Sequence, residues 1–235
     1  PSDKTPLTSL LIADAMKEAG LPKGVLTIIH GRRVTAEAIM AHPLVQAIGF
    51  VGSTKVAQDV YRFGSQNLKR VLALGGAKNH ILLMPDADLE MSSKGIADSF
   101  TGCAGQRCMA ASVLVAVADS KNDPESAKKI DRLIAAIVEQ ARSLTLPDRM
   151  GAIISKASLN NLKGAIAEAE KSGAKILLDG RSPATPKDFS GGYWLGPTVL
   201  DNVAPGSRAA TEELFGPVLS IVRVATLSEA LELQK

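Results

Sequence analysis

One cysteine, set in a run of small residues, is the strongest candidate in this sequence for a chemically reactive side chain. Cys108 directly follows Ala104-Gly105-Gln106-Arg107. Small residues leave room for a substrate at the sulfur, and the positive charge of Arg107 favours the thiolate, which is the nucleophilic form of the group. If Cys108 opens a helix, the free N–H groups there stabilise the thiolate further. A buried thiol that packs as a small hydrophobic residue is the alternative.

The residues that could assist such a thiol are few. Cysteine hydrolases pair the thiol with a histidine. The three histidines are His30, His42 and His80, and no local spacing connects them to the cysteine, although pairing in space stays open. Cys103, at the end of a predicted helix, is interpreted as a buried thiol without a chemical role. No Cys/His cluster has the spacing of metal ligands, so we expect no metal site.

The composition is that of an ordinary globular protein from a reducing compartment. The 235 residues are 46% hydrophobic and 22% charged, with a net charge of +3 and scattered basic residues, so we expect no nucleic-acid partner. Apolar runs such as 24–29 are far too short to cross a bilayer, and no signal peptide is recognisable, so we expect no membrane partner. Two cysteines are too few for a disulfide framework. We therefore expect a cytoplasmic protein, or one of the mitochondrial matrix in a eukaryote.

The first third of the chain alternates short apolar runs with helical patterns, which is typical of parallel β/α/β units. Thr5 is expected to cap a first helix that Gly20 and Pro22 end. The apolar run 25–29 predicts a buried strand. The later predicted elements are a helix at 35–41, a strand at 45–51, a helix from 53 to about residue 64, and strands at 70–74 and 80–84.

After residue 86 the pattern changes to longer helices and a mixed set of strands. We therefore place a domain boundary near residue 75, which divides an α/β protein into residues 1–75 and 76–235. The predicted helices lie at 88–102, 124–143, 155–172 and from 227 onward, and the predicted strands lie at 112–117, 175–178, 198–200 and 218–224.

Five motifs, in the same order along the chain, resemble those of aldehyde dehydrogenases. They are Thr5-Pro6-Leu7, Phe50-Val51-Gly52-Ser53-Thr54, Met84-Pro85-Asp86-Ala87-Asp88, Gly105-Gln106-Arg107-Cys108 and Glu212-Glu213-Leu214-Phe215-Gly216-Pro217. Five ordered motifs are far more specific than one, and the resemblance covers essentially the whole chain. It implies the aldehyde dehydrogenase fold, in which residues 1–75 are the C-terminal part of a Rossmann-like NAD-binding half and residues 76–235 are an α/β catalytic domain truncated at its C-terminus.

A narrower resemblance is to methylmalonate-semialdehyde dehydrogenases. It rests on Ile29-His30-Gly31, Gly76-Ala77-Lys78-Asn79-His80 and Gly105-Gln106-Arg107-Cys108-Met109-Ala110. Enzymes of that kind oxidise a carboxylated aldehyde with NAD and pass the acyl group to coenzyme A, with loss of carbon dioxide. The resemblance therefore implies a thioacyl intermediate on Cys108, with NAD as the cofactor and coenzyme A as the acyl acceptor.

One departure from the family pattern bears on the fate of the acyl group. Hydrolytic members have Glu-Leu-Gly-Gly-Lys, whose Glu activates water, and counting back from Lys78 places Leu74 at that position. Leu74 cannot act as a base, and the CoA-acylating enzymes also lack the Glu, typically having Asn. Because a thiol attacks a thioester without such a base, the departure favours transfer to coenzyme A. A leucine that merely ends a buried strand is compatible with either outcome.

The resemblance also assigns residues to the cofactor. It implies that Asp3 binds the adenosine ribose, that Ser53 faces the pyrophosphate at a helix start, that Gly75 and Gly76 approach the nicotinamide, and that Glu213 and Phe215 contact the nicotinamide ribose and the nicotinamide. Without the resemblance, Ser53 is a helix cap, the two glycines are a tight turn and Glu213 is a solvated acid. Arg107 is expected to meet the substrate carboxylate or a coenzyme A phosphate, unless it is a surface arginine.

Two other functions remain open from the sequence. An ordinary NAD(P)-dependent aldehyde dehydrogenase would release a free acid, and a pseudoenzyme would only bind or assemble. The chain does not begin with Met and a helical pattern runs into its last residues, so we interpret it as a piece of a longer protein. The family's oxyanion Asn would precede its first residue, which leaves the Cys108 N–H as the assignable oxyanion donor. We therefore expect this chain alone to be inactive and its parent protein to form a homo-oligomer, either a dimer or a tetramer.

Overall fold

The chain divides into two compact units, Pro1–Gly76 and Ala77–Lys235. The computed structural model describes residues 1–119 and 121–234, so the last residue of the helix predicted from 227 onward lies outside the described residues. Each unit has its own sheet, and each is described by itself.

The first unit contains a two-stranded parallel sheet whose strands are joined by a helix. Its elements are α1 (Pro6–Glu18), α2 (Arg33–Ala41), β1 (Ala47–Val51), α3 (Thr54–Gln66) and β2 (Arg70–Leu74). The two strands pair along their whole length. A Cβ on Gly64 would lie 2.4 Å from Val71 Cγ2, so a glycine is what lets α3 lie this close to β2. The predicted parallel β/α/β arrangement is confirmed for β1, α3 and β2.

Two predictions for this unit are wrong. The run 25–29 forms no strand, and Val25 and Ile29 keep 65% and 51% of their surface exposed. A strand is stable only when a neighbouring strand satisfies its backbone, and within the described part of the unit the sheet consists of β1 and β2. Thr5 makes no side-chain cap hydrogen bond, because its backbone (φ −134°, ψ 57°) is not in the extended form typical of capping residues. Pro6, with its preset φ, begins α1 instead.

The second unit is built on a five-stranded mixed sheet. Its strands are β3 (His80–Leu83), β4 (Val113–Val117), β5 (Lys175–Leu178), β6 (Thr198–Asp201) and β7 (Val218–Val224). They lie in the order β3-β4-β7-β6-β5, and all neighbours are parallel except β5 and β6. The helices are α4 (Leu89–Thr101), α5 (Pro124–Arg142), α6 (Lys156–Lys171), α7 (Arg208–Thr211) and α8 (Leu227–Glu232), with short 3₁₀ turns at Gly102–Gly105 and Lys187–Phe189. The predicted α/β class and mixed sheet are confirmed.

The core lies on both faces of this sheet, because β4 is buried along its whole length. Alternate residues of a strand point to opposite faces. Val113, Val115 and Val117 belong to an apolar cluster that includes α6, whereas Leu114 and Ala116 belong to a second cluster with α4 and α5. This two-sided burial explains why β4 is a continuous apolar run in the sequence.

Side-chain caps fix where the long helices begin. Asp88, Asp123 and Ser155 accept hydrogen bonds from N–H groups of the first turns of α4, α5 and α6, at 2.7, 3.0 and 3.1 Å. Thr226 and Glu229 form a reciprocal capping box at the start of α8. The cap of α4 matters most for the site, because α4 leads directly into the segment that carries both cysteines.

Candidate active site

Cys108 is exposed and lies in a turn between α4 and β4. The N–H of Ala110 closes this turn by donating to the Arg107 carbonyl oxygen at 3.1 Å. Cys108 therefore does not open a helix, because the chain passes from the turn directly into β4, and the predicted stabilisation of its thiolate by helix N–H groups does not apply. The exposed position is also contrary to the alternative of a buried, packing thiol.

The prediction that Cys103 is buried is wrong. Cys103 is exposed, although its neighbour Ala104 is 0% exposed. Both residues have left-handed backbone, with φ of 53° and 54°. Successive left-handed residues reverse the chain after α4, so that Ala104 packs into the core while the Cys103 side chain faces solvent. The segment between α4 and β4 thus exposes two thiols.

Asn79, at the entrance of β3, fastens the turn that carries Cys108. Its side-chain Nδ2 donates to the carbonyl oxygen of Cys108 at 2.7 Å and to that of Ala110 at 3.0 Å. Its own backbone carbonyl accepts from the N–H groups of Ser112 and Val113 at 3.2 and 3.1 Å. This role was not predicted, and the one available signal was an amide side chain directly before a strand that neighbours β4.

Gln106 and Arg107 connect the cysteine-bearing segment to two other parts of the unit. Gln106 Oε1 accepts from the Ile154 N–H at 2.8 Å, and Nε2 donates to the Ala152 carbonyl at 3.2 Å. Arg107 Nη2 donates to two carbonyl oxygens near the end of α4, at 2.9 and 3.2 Å. Basic side chains near a helix C-terminus hydrogen-bond its last carbonyls, and Arg107 binds the end of α4 in this way. Its predicted contact with a substrate carboxylate or a coenzyme A phosphate stays a prediction.

A close approach of two glycines brings a second motif against the cysteine-bearing segment. A Cβ on Gly105, whose φ is +66°, would lie 2.2 Å from the Gly216 carbonyl oxygen, so both conformation and space require glycine there. Glu213 and Phe215, just before Gly216, line the same small cavity as Arg107, with a volume of about 20 Å³. The structure therefore brings the predicted site residue Arg107 together with two others, Glu213 and Phe215, from a distant part of the sequence.

Lys78 ties this second motif to the start of β3. Its Nζ donates to the Glu212 carbonyl oxygen at 2.7 Å. Burial lowers the pKa of Lys78 to about 8, against the opposing attraction of the Glu212 and Glu213 carboxylates. Lys78 was not predicted as a site residue, because nothing in the sequence relates it to a position 134 residues away.

In the first unit, Ser53, Gly75 and Gly76 lie together at the start of α3. The N–H of Gly76 donates to Thr54 Oγ1 at 3.1 Å, and a Cβ on Gly75 would lie 3.0 Å from the same oxygen. Ser53 is the N-cap residue of α3, yet its side chain makes no cap hydrogen bond. Its hydroxyl thus has no partner within the described part of the chain, which leaves it available to a ligand.

Leu74, at the position expected to hold a base in hydrolytic relatives, ends β2. The alternative that it ends a strand is confirmed, but the strand is not buried as that alternative had it, since Leu74 keeps 49% of its surface exposed. Its carbonyl oxygen accepts from the Gly52 N–H at 3.1 Å, which joins the ends of the two strands. The residue fixes backbone there but offers no group that could take a proton.

A pocket of about 750 Å³ between α2, β1 and α3 was not predicted from the sequence. Its apolar lining includes Ile39, Met40, Ile48, Phe50, Val56, Val60 and Phe63. Arg33 and Glu37, also in the lining, form an ion pair at 2.6 Å. Asp3, the predicted ribose-binding residue, lies 2.8 Å from Arg32, measured from Oδ2 to Nε. Arg32 directly precedes Arg33, so the partner of Asp3 is adjacent in the chain to a residue that lines the pocket.

Within residues 1–119 and 121–234, no group of three or more Cys, His, Asp or Glu side chains could hold a metal ion. No helix in that part of the chain is long and apolar enough to span a bilayer.

Comparison with known protein families matches residues 1–234 to the model of the aldehyde dehydrogenase family. Among curated proteins, the chain is 43% identical over 234 residues to malonate-semialdehyde dehydrogenase 1 of Geobacillus thermodenitrificans. That alignment covers 99% of this chain and 47% of the relative.

Comparison with solved structures also matches the chain to dehydrogenases. The crystal structure of methylmalonate-semialdehyde dehydrogenase from Oceanimonas doudoroffii matches with a TM-score of 0.89 and 38% identity, over 99% of this chain and 47% of that one. A 1-pyrroline-5-carboxylate dehydrogenase from Thermus, with bound NAD, matches with a TM-score of 0.81 and 28% identity, over 97% and 43% of the two chains. The chain thus spans about half the length of the relatives it matches.

Proposed function

The chain belongs to the aldehyde dehydrogenase family, and from this premise we propose that it carries the reactive cysteine and part of the cofactor site of an NAD-dependent semialdehyde dehydrogenase. The proposed substrate is a carboxylated semialdehyde such as malonate or methylmalonate semialdehyde, which the names of its relatives contain. Residues 1–75 are proposed as the C-terminal part of the NAD-binding domain, and residues 76–235 as part of the catalytic domain. The observation that carries the proposal is the exposed Cys108 thiol in a turn fastened by Asn79.

Cys108 supplies the nucleophile in this proposal. Its thiolate attacks the aldehyde carbon, a C–S bond forms, and the carbonyl π electrons move onto oxygen. The backbone N–H of Cys108 is the donor that this chain offers to the oxyanion. Asn79 holds the turn through the Cys108 carbonyl, and the Gln106 side chain ties the preceding residue to Ile154, so the Cys108 backbone and its N–H are in place before the substrate arrives.

The first unit has a pocket and polar groups that suit an adenine dinucleotide. When bound, NAD supplies the acceptor for the hydride that leaves the substrate carbon as the Cys108 thioester forms. The pocket of about 750 Å³ falls in the usual range for ligand sites, roughly 300–1,000 Å³, and its apolar lining suits a flat base. Asp3 is proposed to accept hydrogen bonds from the adenosine ribose hydroxyls. Ser53, with an unpartnered hydroxyl at the start of the helix that lines this pocket, is proposed to bind the pyrophosphate.

The nicotinamide end of the cofactor is assigned to residues of the family motifs in each unit. In the first unit, Gly75 and Gly76 offer backbone without side chains, which permits close approach. In the second unit, the Glu213 carboxylate is an acceptor for ribose hydroxyls, and the Phe215 ring, 44% exposed, offers a flat apolar surface. Lys78 holds the Glu213 and Phe215 segment through the Glu212 carbonyl.

The acyl group is proposed to leave Cys108 for coenzyme A. The coenzyme A thiolate attacks the acyl carbon, and the Cys108 sulfur departs with its electron pair, which restores the thiolate. Leu74 offers no carboxylate to activate water, whereas a thiol is far more acidic than water and reaches its nucleophilic thiolate form without such help. The donors of Arg107 that α4 does not use are proposed to meet the substrate carboxylate or a coenzyme A phosphate.

The direct test measures NADH formation from malonate semialdehyde by the protein that contains this chain, with and without coenzyme A. We expect a coenzyme A thioester as the product, no NADH from Cys108→Ala, and most of the NADH retained in the matched control Cys103→Ala. A free acid formed at a rate indifferent to coenzyme A would overturn the acyl transfer and leave the dehydrogenase standing. NADH formation that survives Cys108→Ala would overturn the assignment of the nucleophile.

The 235-residue chain itself allows a second test, which needs no turnover. Both cysteines are exposed, so a small electrophile can reach either thiol. We expect iodoacetamide at neutral pH to modify Cys108 faster than Cys103, as measured by mass spectrometry of the two peptides. Equal rates would contradict the special activation of Cys108.

A further inference from the structure

The carboxylate proposed to hold the adenosine ribose is itself held by an arginine. Arg32 Nε lies 2.8 Å from Asp3 Oδ2, and the two side chains keep 78% and 36% of their surface exposed. Arg32 has further N–H donors on its two terminal nitrogens, and these have no partner within the described part of the chain. The pair therefore places an anionic acceptor and several cationic donors at one point on the surface.

The arginine of this pair is adjacent in the chain to a residue of the pocket proposed for adenine. Arg32 is the residue before α2, and the next residue, Arg33, lines the pocket together with Glu37. Arg33 is engaged with Glu37 at 2.6 Å, whereas Arg32 points its guanidinium to Asp3. If an adenine fills the pocket with its ribose directed toward Asp3, the ribose 2′ oxygen comes within reach of Arg32, which contacts the Asp3 carboxylate.

The chemistry at the ribose 2′ position distinguishes NAD from NADP. A carboxylate accepts a hydrogen bond from the 2′-hydroxyl of NAD but repels the 2′-phosphate of NADP, whereas an arginine nearby binds that phosphate. A guanidinium does so with two parallel hydrogen bonds of matching geometry. We propose that Arg32 is a specificity-determining residue that lets this site accept NADP as well as NAD. The inference rests on the dinucleotide site of the proposed function.

The ion pair between Arg32 and Asp3 is weak, so Arg32 can exchange the Asp3 carboxylate for the 2′-phosphate of NADP. Both side chains are exposed, and exposed ion pairs stabilise a fold only slightly, so Arg32 can leave Asp3 for a phosphate at little cost. With NAD, Arg32 stays on Asp3 and the carboxylate keeps an oxygen for the ribose hydroxyls. With NADP, Arg32 moves to the phosphate and offsets the negative charge of Asp3.

The test is calorimetric titration of the full chain with NAD, NADP and their fragments 5′-AMP and 2′,5′-ADP, which need no nicotinamide contacts. We expect wild type to bind NADP and NAD with similar affinity, within about tenfold. Arg32→Ala should weaken NADP and 2′,5′-ADP by about tenfold or more, because a charge-assisted bidentate contact is lost, and leave NAD and 5′-AMP nearly unchanged. Arg32→Lys keeps the positive charge but lacks the paired donors of a guanidinium. Its affinity for NADP and 2′,5′-ADP should therefore lie between those of wild type and Arg32→Ala. Arg70→Ala, an exposed arginine of β2, is the matched control and should change no affinity.

The titrations distinguish failure of the proposed role of Arg32 from failure of the dinucleotide site. If Arg32→Ala weakens all four nucleotides alike, or none of them, the role of Arg32 is overturned while the dinucleotide site stands. If wild type binds NAD and 5′-AMP but neither 2′-phosphorylated nucleotide, the role of Arg32 is again overturned. If wild type binds no nucleotide at all, the proposed cofactor site itself fails. Circular dichroism of each variant checks that it is folded, and rescue by Arg32→Lys excludes a purely structural effect.

Discussion

Asn79 and Cys108, 29 residues apart in the sequence, are joined by a hydrogen bond of 2.7 Å from Asn79 Nδ2 to the Cys108 carbonyl oxygen. The bond holds the backbone of the cysteine and not its sulfur, so the thiol stays exposed. The same amide group donates to Ala110, which means that one side chain spans the turn. The position of the proposed nucleophile therefore depends on the residue that precedes β3.

Asn79→Ala should weaken both the fold and the site. Two carbonyl oxygens lose their donor, which should lower the free energy of unfolding by about 1–2 kcal/mol. The rate of NADH formation should fall by at least about tenfold, because small displacements of a nucleophile are costly. Urea unfolding followed by the fluorescence of Trp194, the single tryptophan, buried in the second unit, gives the first quantity.

Asn122→Ala is the matched control for that variant. The Asn122 side chain bonds Asp119 in an exposed loop and touches no site residue, so it should change stability by less than about 0.5 kcal/mol. Equal losses in the two variants would mean that Asn79 has no special part in holding the turn.

Gly105→Ala should disrupt the contact between the cysteine-bearing segment and the segment of Glu213. The new Cβ would meet the Gly216 carbonyl at 2.2 Å, and φ of +66° is unfavourable for alanine. Strain and overpacking together should cost about 2–4 kcal/mol of unfolding free energy. In Gly151→Ala nothing lies within 4 Å of the new atom, so this control should be neutral or slightly stabilising. If the two variants unfold at the same urea concentration, the close contact between Gly105 and Gly216 does not require glycine at position 105.

Most of the secondary structure could be predicted because its signals are local. Asp88, Asp123 and Ser155 cap helices that begin within a residue of the predicted start, and β5 has the predicted bounds. The run 25–29 has the apolar residues of a strand but not the neighbouring strand. Pairing is a long-range property, and a short apolar run carries no information about it.

The candidate site was predictable only in part, because local sequence patterns do not encode contacts between distant residues. Cys108, Glu213 and Phe215 stand in motifs, so the sequence identified them as candidates. Lys78 acts through a bond to a residue 134 positions later, which no local pattern encodes. The exposure of Cys103 follows from left-handed backbone at a residue other than glycine, which is uncommon and has no sequence signal here.

Asp201→Ala should cost far more stability than Asp131→Ala, although both carboxylates contact Arg223. Asp201 is 5% exposed and accepts from Arg223 Nε at 2.9 Å and Nη2 at 3.0 Å. Its removal leaves a half-buried guanidinium without its main partner, a loss of about 2–4 kcal/mol. Asp131, with 59% of its side chain exposed, should contribute about 0–1 kcal/mol. Similar unfolding midpoints for the two variants would contradict the conclusion that Asp201, the buried partner of Arg223, contributes most of the stability.

The pH dependence of stability should reveal the lowered pKa of Lys78. Because folding lowers this pKa from 10.5 to about 8, the unfolded chain binds more protons than the folded chain between these values. The free energy of unfolding should therefore rise with pH across that window, by up to about 2–3 kcal/mol from this group. Lys78→Met lacks the titrating amine, so its stability should rise less with pH than that of wild type.

Lys94→Met, on an exposed face of α4, controls for the loss of a lysine, and its pH dependence should match wild type. Urea unfolding at several pH values between 8 and 10.5, followed by Trp194, measures the three slopes. If Lys78→Met keeps the slope of wild type, the charged amine is not destabilised by burial, and its bond to the Glu212 carbonyl holds the segment of Glu213 and Phe215 without an electrostatic cost.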